Sequence, residues 1–177
     1  MAFLDTLRLK LSIRYINKNK KISDKEKKEQ IKNIKKLIDE KDYEKRMSML
    51  HDMTCDYLDK IFIEQNACGF KNNICVRRRD MMERGIKKPS YEDGCCHGYK
   101  EGKNCHYLGD HGCTIRNVAC KLYTCPYLKK RGIKYSINKI YCTRYMLNWS
   151  QKVYLMSTFF IPKNEVLPGL IRKRYHV

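Results

Sequence analysis

The sequence predicts a mainly α-helical protein with little β structure, in which a metal organises irregular, cysteine-rich loops. Amphipathic helical periodicity in the first third of the chain favours helices, and a glycine- and cysteine-rich stretch near the middle lacks any such periodicity. We expect residues 1–66 to hold a strand or helix and then a helical pair. Residues 67–177 would form the Cys-rich metal-binding part with a C-terminal helix and tail. A chain of 177 residues is long enough for both parts to share one compact unit.

The N-terminal elements follow from apolar spacing. Residues 7–15 alternate apolar and polar side chains, which predicts a half-buried strand. A helix is the alternative, because Leu4, Leu7 and Leu11 share a helical face. Ser23 followed by Glu26 forms a capping box and starts a helix over about 23–40. A renewed apolar stripe then predicts a second helix over about 43–65.

The rest of the chain shows weaker periodicity. From residue 66 to about 107 there are too few large apolar side chains to form a core, so thiolate–metal bonds are the available means of ordering this stretch. After the cysteines, an aromatic and aliphatic segment predicts a helix around 141–156. An irregular surface tail is expected beyond Pro162.

Cysteine usage and the absence of targeting signals indicate the compartment. No run approaches the 18 apolar residues of a membrane span, and Arg8, Lys10 and Arg14 interrupt what a signal peptide would need as its apolar region. We therefore expect a cytoplasmic protein. Disulfides are rare there, so ten cysteines indicate metal binding more than a disulfide framework.

Six cysteines crowd into a stretch of 31 residues and form the candidate metal site: Cys95, Cys96, Cys105, Cys113, Cys120 and Cys125. Thiolates are soft donors that suit zinc, Cu(I) and iron–sulfur clusters. No C-x2-C pair is present, which argues against a zinc finger, a zinc ribbon and a thioredoxin-type redox motif. We predict that Cys113, Cys120 and Cys125 are ligands. Further imidazole donors are interleaved with the cysteines at His97, His106 and His111.

The cysteine stretch resembles the YkgJ family, a zinc- or iron-chelating cysteine-cluster domain. Four family elements occur in order: the Cys95-Cys96 doublet, Cys105-His-Tyr-Leu108, Gly112-Cys-Thr-Ile115 and Cys120-Lys-Leu-Tyr-Thr-Cys125. The resemblance implies chelation of zinc or iron. It favours an iron–sulfur cluster over zinc, because flagellin lysine methylases carry a similar cysteine pattern.

The chain also departs from the family pattern. Glu92 stands where the family often has a further cysteine, and Lys121 and Thr124 replace the arginine and proline of the last element. The ligand set that the resemblance implies would then be completed from elsewhere in the chain. The cysteines available for this are Cys68, Cys75 and Cys142.

The charge distribution suggests a second function class. The formal net charge is +19, and residues 95–177 carry 15 Lys or Arg against three Asp or Glu. A basic C-terminal half favours nucleic acid or another anionic partner. The readings are therefore a metal-binding protein whose centre is structural or electron-transferring, a zinc-stapled nucleic-acid-binding module, and a cluster-dependent redox or methyl-transfer enzyme. No nucleotide-binding or hydrolase motif identifies a reaction.

Overall fold

The computed structural model describes residues 2–72, 74–86, 105–109 and 112–174. The first four described helices are α1 (Ala2–Lys18), α2 (Asp24–Asp39), α3 (Tyr43–Gln65) and α4 (Val76–Glu83). A two-stranded antiparallel pair follows, β1 (Leu108–Gly109) with β2 (Gly112–Cys113). Short helices α5 (Val118–Leu122) and α6 (Pro126–Lys130), a 3₁₀ turn (Ile137–Lys139), α7 (Trp149–Ser157) and α8 (Lys163–Arg172) complete the described chain. The predicted mainly α fold with little β structure is confirmed.

The chain divides into two compact units. The first comprises Met1–Asp56, Asn117–Ala119 and Ser136–Val177, and the second comprises Tyr57–Arg116 and Cys120–Tyr135. The sequence instead predicts a single boundary near residue 66. The compact units follow a different division because the C-terminal helices belong with the N-terminal ones.

The strand predicted over residues 7–15 is wrong, and the helical alternative is correct. The buried positions of α1 include Ser12 and Ile16, which are four residues apart, whereas Leu4 and Leu7 are exposed. Arg46 on α3 reaches back to Asp5 with an Nη1–Oδ1 distance of 3.2 Å. The buried stripe of α1 is therefore partly polar, which concealed its helical period in the sequence.

The two following helices are confirmed close to their predicted bounds. The Ser23 hydroxyl accepts a hydrogen bond from the Glu26 amide at 3.2 Å and caps α2. Ile34 and Leu37 of α2 are fully buried, and α2 packs against α1. On α3, Met47 and Leu50 continue the core of the first unit.

The C-terminal part differs from the prediction in two ways. Turns occupy residues 141–146, and the predicted helix begins only at Trp149, where Asn148 forms a reciprocal capping box with Gln151. The tail is not irregular, because α8 forms despite Pro168 within it. Burial of Val166 and Leu170 on one face of α8 outweighs the cost of the proline.

The two units differ in how much apolar material they bury. Within the described residues, the first unit buries 17 hydrophobic side chains to below a tenth of their surface, whereas the second buries six. Those six are Leu58, Met81, Cys105, Ile115, Leu122 and Leu128. The described part of the second unit therefore buries little apolar material, and most of the described cysteines lie in it.

Candidate metal centre

The second unit gathers most of the predicted thiolate ligands. Six of the eight described cysteines belong to it, namely Cys68, Cys75, Cys105, Cys113, Cys120 and Cys125. No disulfide joins any two cysteines within the described ranges. Cys95, Cys96, His97 and His111 lie outside the described residues, so their predicted part in the site stays a prediction.

Cys113 and Cys105 are brought close enough to influence each other electrostatically. Cys113 ends β2, and its backbone pairs with Leu108, three residues after Cys105. Burial raises the pKa of the Cys113 thiol. A hydrogen bond from the Ile115 amide and the charge of the Lys121 ammonium lower this pKa, whereas negative charge on Cys105 and on Asp59 raises it. Cys105 is buried and Cys113 is half-buried, and the charges of Lys121 and Asp59 act on the Cys113 thiol.

Lys121 is the buried cation of this site. Its side chain is only 1 % exposed, and its ammonium forms an ion pair with the Asp59 carboxylate. The same ammonium donates to the Cys113 carbonyl at 3.2 Å. Arg116 lies 3.9 Å from the other Asp59 oxygen. The charge of this ammonium lowers the pKa of the Cys113 thiol and so opposes burial, although burial has the larger effect.

Sequence reasoning missed the role of these two residues. The sequence pattern identifies Lys121 only as a replacement for arginine within the last cysteine element. Its position directly after Cys120 is the one local feature that links it to the cysteines. Asp59 carried no signal, because it lies 62 residues earlier in the chain on α3. Only folding brings this carboxylate to the cysteine segment.

Cys68 and Cys75 flank a tight loop that leads into α4. The Cys68 carbonyl accepts a hydrogen bond from the Val76 amide at 2.8 Å, and Gly69 has a left-handed φ of 53°. Cys75 is the N-cap residue of α4. Burial raises the pKa of Tyr135, and negative charge on Cys68 raises this pKa further. Cys68 therefore faces the C-terminal part of the same unit.

Cys120 and Cys125 lie on either side of a short break between α5 and α6. The Cys120 carbonyl accepts from the Tyr123 amide at 3.2 Å, and the Cys125 carbonyl accepts from the Lys129 amide at 3.0 Å. Cys125 is the N-cap residue of α6, and its sulfur does not serve as the cap acceptor. Both thiols are half-buried, so they remain accessible to a metal.

Cys142 lies in the first unit, with Thr54 beside it. Its sulfur is 3.3 Å from the Thr54 hydroxyl, and the residue is fully buried. Burial raises the pKa of this thiol to about 12, and the hydrogen bond with Thr54 acts in the opposite direction and lowers the pKa. Cys142 is therefore interpreted as a protonated thiol in the core of the first unit. Cys55 is likewise buried in the first unit, as its place on the apolar stripe predicted.

Cysteine sulfur is the kind of donor that a thiolate-bound metal centre requires. The described residues provide only part of a complete set of metal ligands. Among residues 2–72, 74–86, 105–109 and 112–174, no three Cys, His, Asp or Glu side chains converge to hold a metal ion. His106 is exposed and packs on Tyr107 with ring centroids 3.8 Å apart. The paired thiols and Lys121 are therefore the described core of the candidate centre.

Comparison with protein-family models, with curated proteins and with solved structures gave no match. The site is thus interpreted from its own residues.

Proposed function

We propose that this chain is a metal-binding protein whose second unit holds zinc or an iron–sulfur cluster through cysteine thiolates. One observation carries the proposal. The unit that gathers six described cysteines buries only six hydrophobic side chains among its described residues. A unit with so thin an apolar core needs another source of stability, and metal–thiolate bonds contribute directly to the free energy of folding.

The proposed ligands are drawn from the second unit. They comprise Cys105, Cys113, Cys120 and Cys125, with Cys68 and Cys75 near them in the same unit and the doublet Cys95-Cys96 from the sequence pattern. Cys142 is left out of the proposed set, because its thiol is buried against Thr54 in the first unit. Bound zinc would cross-link the loops, and a bound cluster would add one-electron transfer.

Lys121 and Asp59 set the charge around the proposed ligands. Thiolates on a divalent ion or a cluster leave net negative charge in a poorly solvated place. The Lys121 ammonium offsets part of that charge from its position at the Cys113 carbonyl. Asp59 fixes the ammonium there through their ion pair.

The first test is metal and acid-labile sulfide analysis of protein purified without oxygen, together with a visible spectrum. Stoichiometric iron with sulfide would support a cluster, and stoichiometric zinc without sulfide would support a structural ion. Protein that contains neither, and that takes up neither on reconstitution under reducing conditions, would contradict the proposal.

Single substitutions then test the ligand assignment. Cys113→Ser, Cys120→Ser and Cys125→Ser should each lower the bound metal and the midpoint of thermal unfolding, because each removes a metal–sulfur bond. Cys55→Ser is the matched control, since Cys55 is fully buried in the first unit. It should reduce stability and leave the metal content unchanged. Full metal content in all three variants would show that the ligands are other residues.

A further inference from the structure

The exposed face of α7 presents a large apolar surface at an unexpected place. Trp149, the single tryptophan of the chain, is 79 % exposed at the first position of this helix. Val153, four residues later on the same face, is 47 % exposed, while Gln151 and Leu155 are buried on the opposite face. Tryptophan is usually well buried, so a side chain that exposes this much ring is available to a partner.

Two neighbouring basic residues, Lys152 and Arg144, accompany this face of α7. Lys152 lies on the same face, and its ammonium donates to the Arg144 carbonyl at 2.7 Å. Burial lowers the pKa of Lys152, and repulsion from the Arg144 guanidinium lowers it further. In the part of the chain that the structure describes, neither cation forms an ion pair with a carboxylate. Two neighbouring cations without a neutralising acid favour an anion between them.

Arg144 is held in place by aromatic rings. Its guanidinium lies 4.5 Å from the Tyr15 ring centroid and 5.3 Å from that of Tyr145. One of its nitrogens donates to the Asn138 carbonyl at 2.8 Å. The cation is therefore pre-organised, which reduces the entropy lost when it binds a phosphate.

The backbone at the C-terminal end of α8, in a basic stretch of the sequence, contacts the residue before Trp149. The Asn148 side-chain amide donates to the carbonyls of Lys173 and Arg174 at 3.1 and 3.3 Å. The residue before Trp149 thus contacts a run of three basic residues, 172–174. Over residues 136–174 the sequence has seven Lys or Arg and a single acid, Glu165.

We propose that this surface, defined by Trp149, Lys152, Arg144 and Lys173, binds single-stranded nucleic acid. An unstacked base would pack on the Trp149 ring, and the flanking phosphates would meet the three cations. Stacking on an exposed aromatic ring together with backbone neutralisation is the usual basis of single-strand binding. The surface lies entirely within the first unit, so it does not depend on the metal centre proposed for the second.

A membrane surface fits these residues less well. An interfacial helix needs a long apolar face to enter the lipid, with tryptophan, phenylalanine or leucine along it. The helix α7 has nine residues, and its strongly exposed apolar side chains are Trp149 and Val153. Duplex DNA fits less well too, because its bases are already stacked and the ring would find no partner.

The single tryptophan makes the test direct. Metal-containing protein as purified is titrated with an oligothymidylate of about 12 nucleotides while Trp149 fluorescence is recorded. We expect saturable quenching that weakens as salt is raised. Binding is measured in parallel by anisotropy of the labelled oligonucleotide, so that variants without tryptophan remain measurable.

Substitutions separate stacking from charge. Trp149→Ala should weaken binding about 5- to 150-fold, the range expected for one stacked base. Lys152→Gln with Lys173→Gln should reduce the salt dependence, the slope of log K against log salt, by about 1.4. Lys25→Gln with Lys28→Gln is the matched control, because it removes the same charge from exposed positions on α2. The control should leave that slope unchanged.

Three results would overturn the proposal. One is the absence of quenching by the oligonucleotide. Another is binding by Trp149→Ala that equals the unsubstituted protein, which would indicate unspecific attraction to any polyanion. The third is a blue shift of Trp149 fluorescence with phosphatidylglycerol vesicles but no response to oligonucleotide, which would assign the surface to a membrane. Failure of metal binding would leave all these results interpretable, since the surface and the metal centre are measured separately.

Discussion

At the scale of single residues, Lys121 is the most informative side chain of the second unit. It is a fully buried lysine whose ammonium has two described partners, the Asp59 carboxylate and the Cys113 carbonyl. A buried charge is tolerated only when it is paired and hydrogen-bonded. The pairing therefore fixes the distance between α3 and the cysteine segment within this unit.

We predict that Lys121→Met lowers the free energy of unfolding by about 1–3 kcal/mol, the range for hydrogen bonds to charged groups. The loss should stay below that of a completely buried pair, because Asp59 is 37 % exposed and water can solvate it once the ammonium is gone. Urea unfolding followed by circular dichroism measures the change. Lys129→Met, at an exposed position on α6, is the control and should have little effect. A variant as stable as the unsubstituted protein would contradict the structural role of the pair.

Cys142 leads to a prediction about pH. Burial raises the pKa of its thiol from 9.0 to about 12 in the folded protein, so the unfolded chain loses this proton first as pH rises. A raised folded pKa contributes stability below the unfolded value and loses it as pH rises toward the folded value. The window for this loss is therefore between about 9 and 12.

The test compares urea unfolding of Cys142→Ala and of the unsubstituted protein, followed by far-ultraviolet circular dichroism. The difference in stability between the two proteins should be smaller near pH ~10 than near pH ~7 by on the order of 1 kcal/mol, because only the unsubstituted chain carries this titrating thiol. Val118→Ala is a matched control, since this fully buried residue of the same unit has no proton to lose. A difference that does not change with pH would refute a protonated Cys142.

At the scale of elements, α7 and α8 contact each other within the first unit. Gly169 of α8 faces Tyr154 of α7, and a Cβ added to Gly169 would overlap the Oη and Cζ atoms of that ring. The glycine is therefore retained for close approach and not for a special backbone conformation.

We predict that Gly169→Ala destabilises the protein by about 1–3 kcal/mol through overpacking. The sign is diagnostic, because alanine in an unconstrained helix would instead stabilise by about 1 kcal/mol relative to glycine. Thermal unfolding measures the effect, and Asn164→Ala at an exposed position of α8 is the control. Adding Tyr154→Ala should recover part of the loss caused by the alanine. A stabilised Gly169→Ala variant would show that the ring moves aside freely.

At the scale of the whole molecule, stability is divided unequally between the two units. The first unit has an apolar core of ordinary kind, with side chains such as Leu37, Leu50 and Leu155 fully buried. Among its described residues, the second unit buries few apolar side chains, and of its six thiols only Cys105 is buried while the others are half-buried. Removal of a bound metal should therefore act on one unit and spare the other.

We predict that chelation under reducing conditions increases amide hydrogen exchange in residues 57–86 and 120–135, while the buried helices of the first unit keep their protection. The reason is that metal–thiolate bonds replace apolar burial only in the second unit. Exchange read by mass spectrometry before and after chelation measures this. Equal loss of protection in both units, or no loss in either, would contradict the proposed role of the metal.

Both the fold and the site were predictable where the signal was local. Ser23 and the stripe through Ile34 and Leu37 fixed α2, because a cap and a helical period lie within a few turns of chain. None of the described helices is both long and apolar enough to cross a lipid bilayer. The α1 helix was mistaken for a strand because its buried face includes Ser12 and a paired Asp5, which break the apolar period.

The sequence by itself determined the helical class, the cysteine-rich segment and the excess of positive charge, because composition and short-range spacing are properties of neighbouring residues. Only the tertiary structure decided which distant groups meet. It placed Asp59 at Lys121, packed Cys142 against Thr54 and left Trp149 exposed. The physical reason is that burial and charge pairing are set by the positions of all segments together, and no local pattern specifies them.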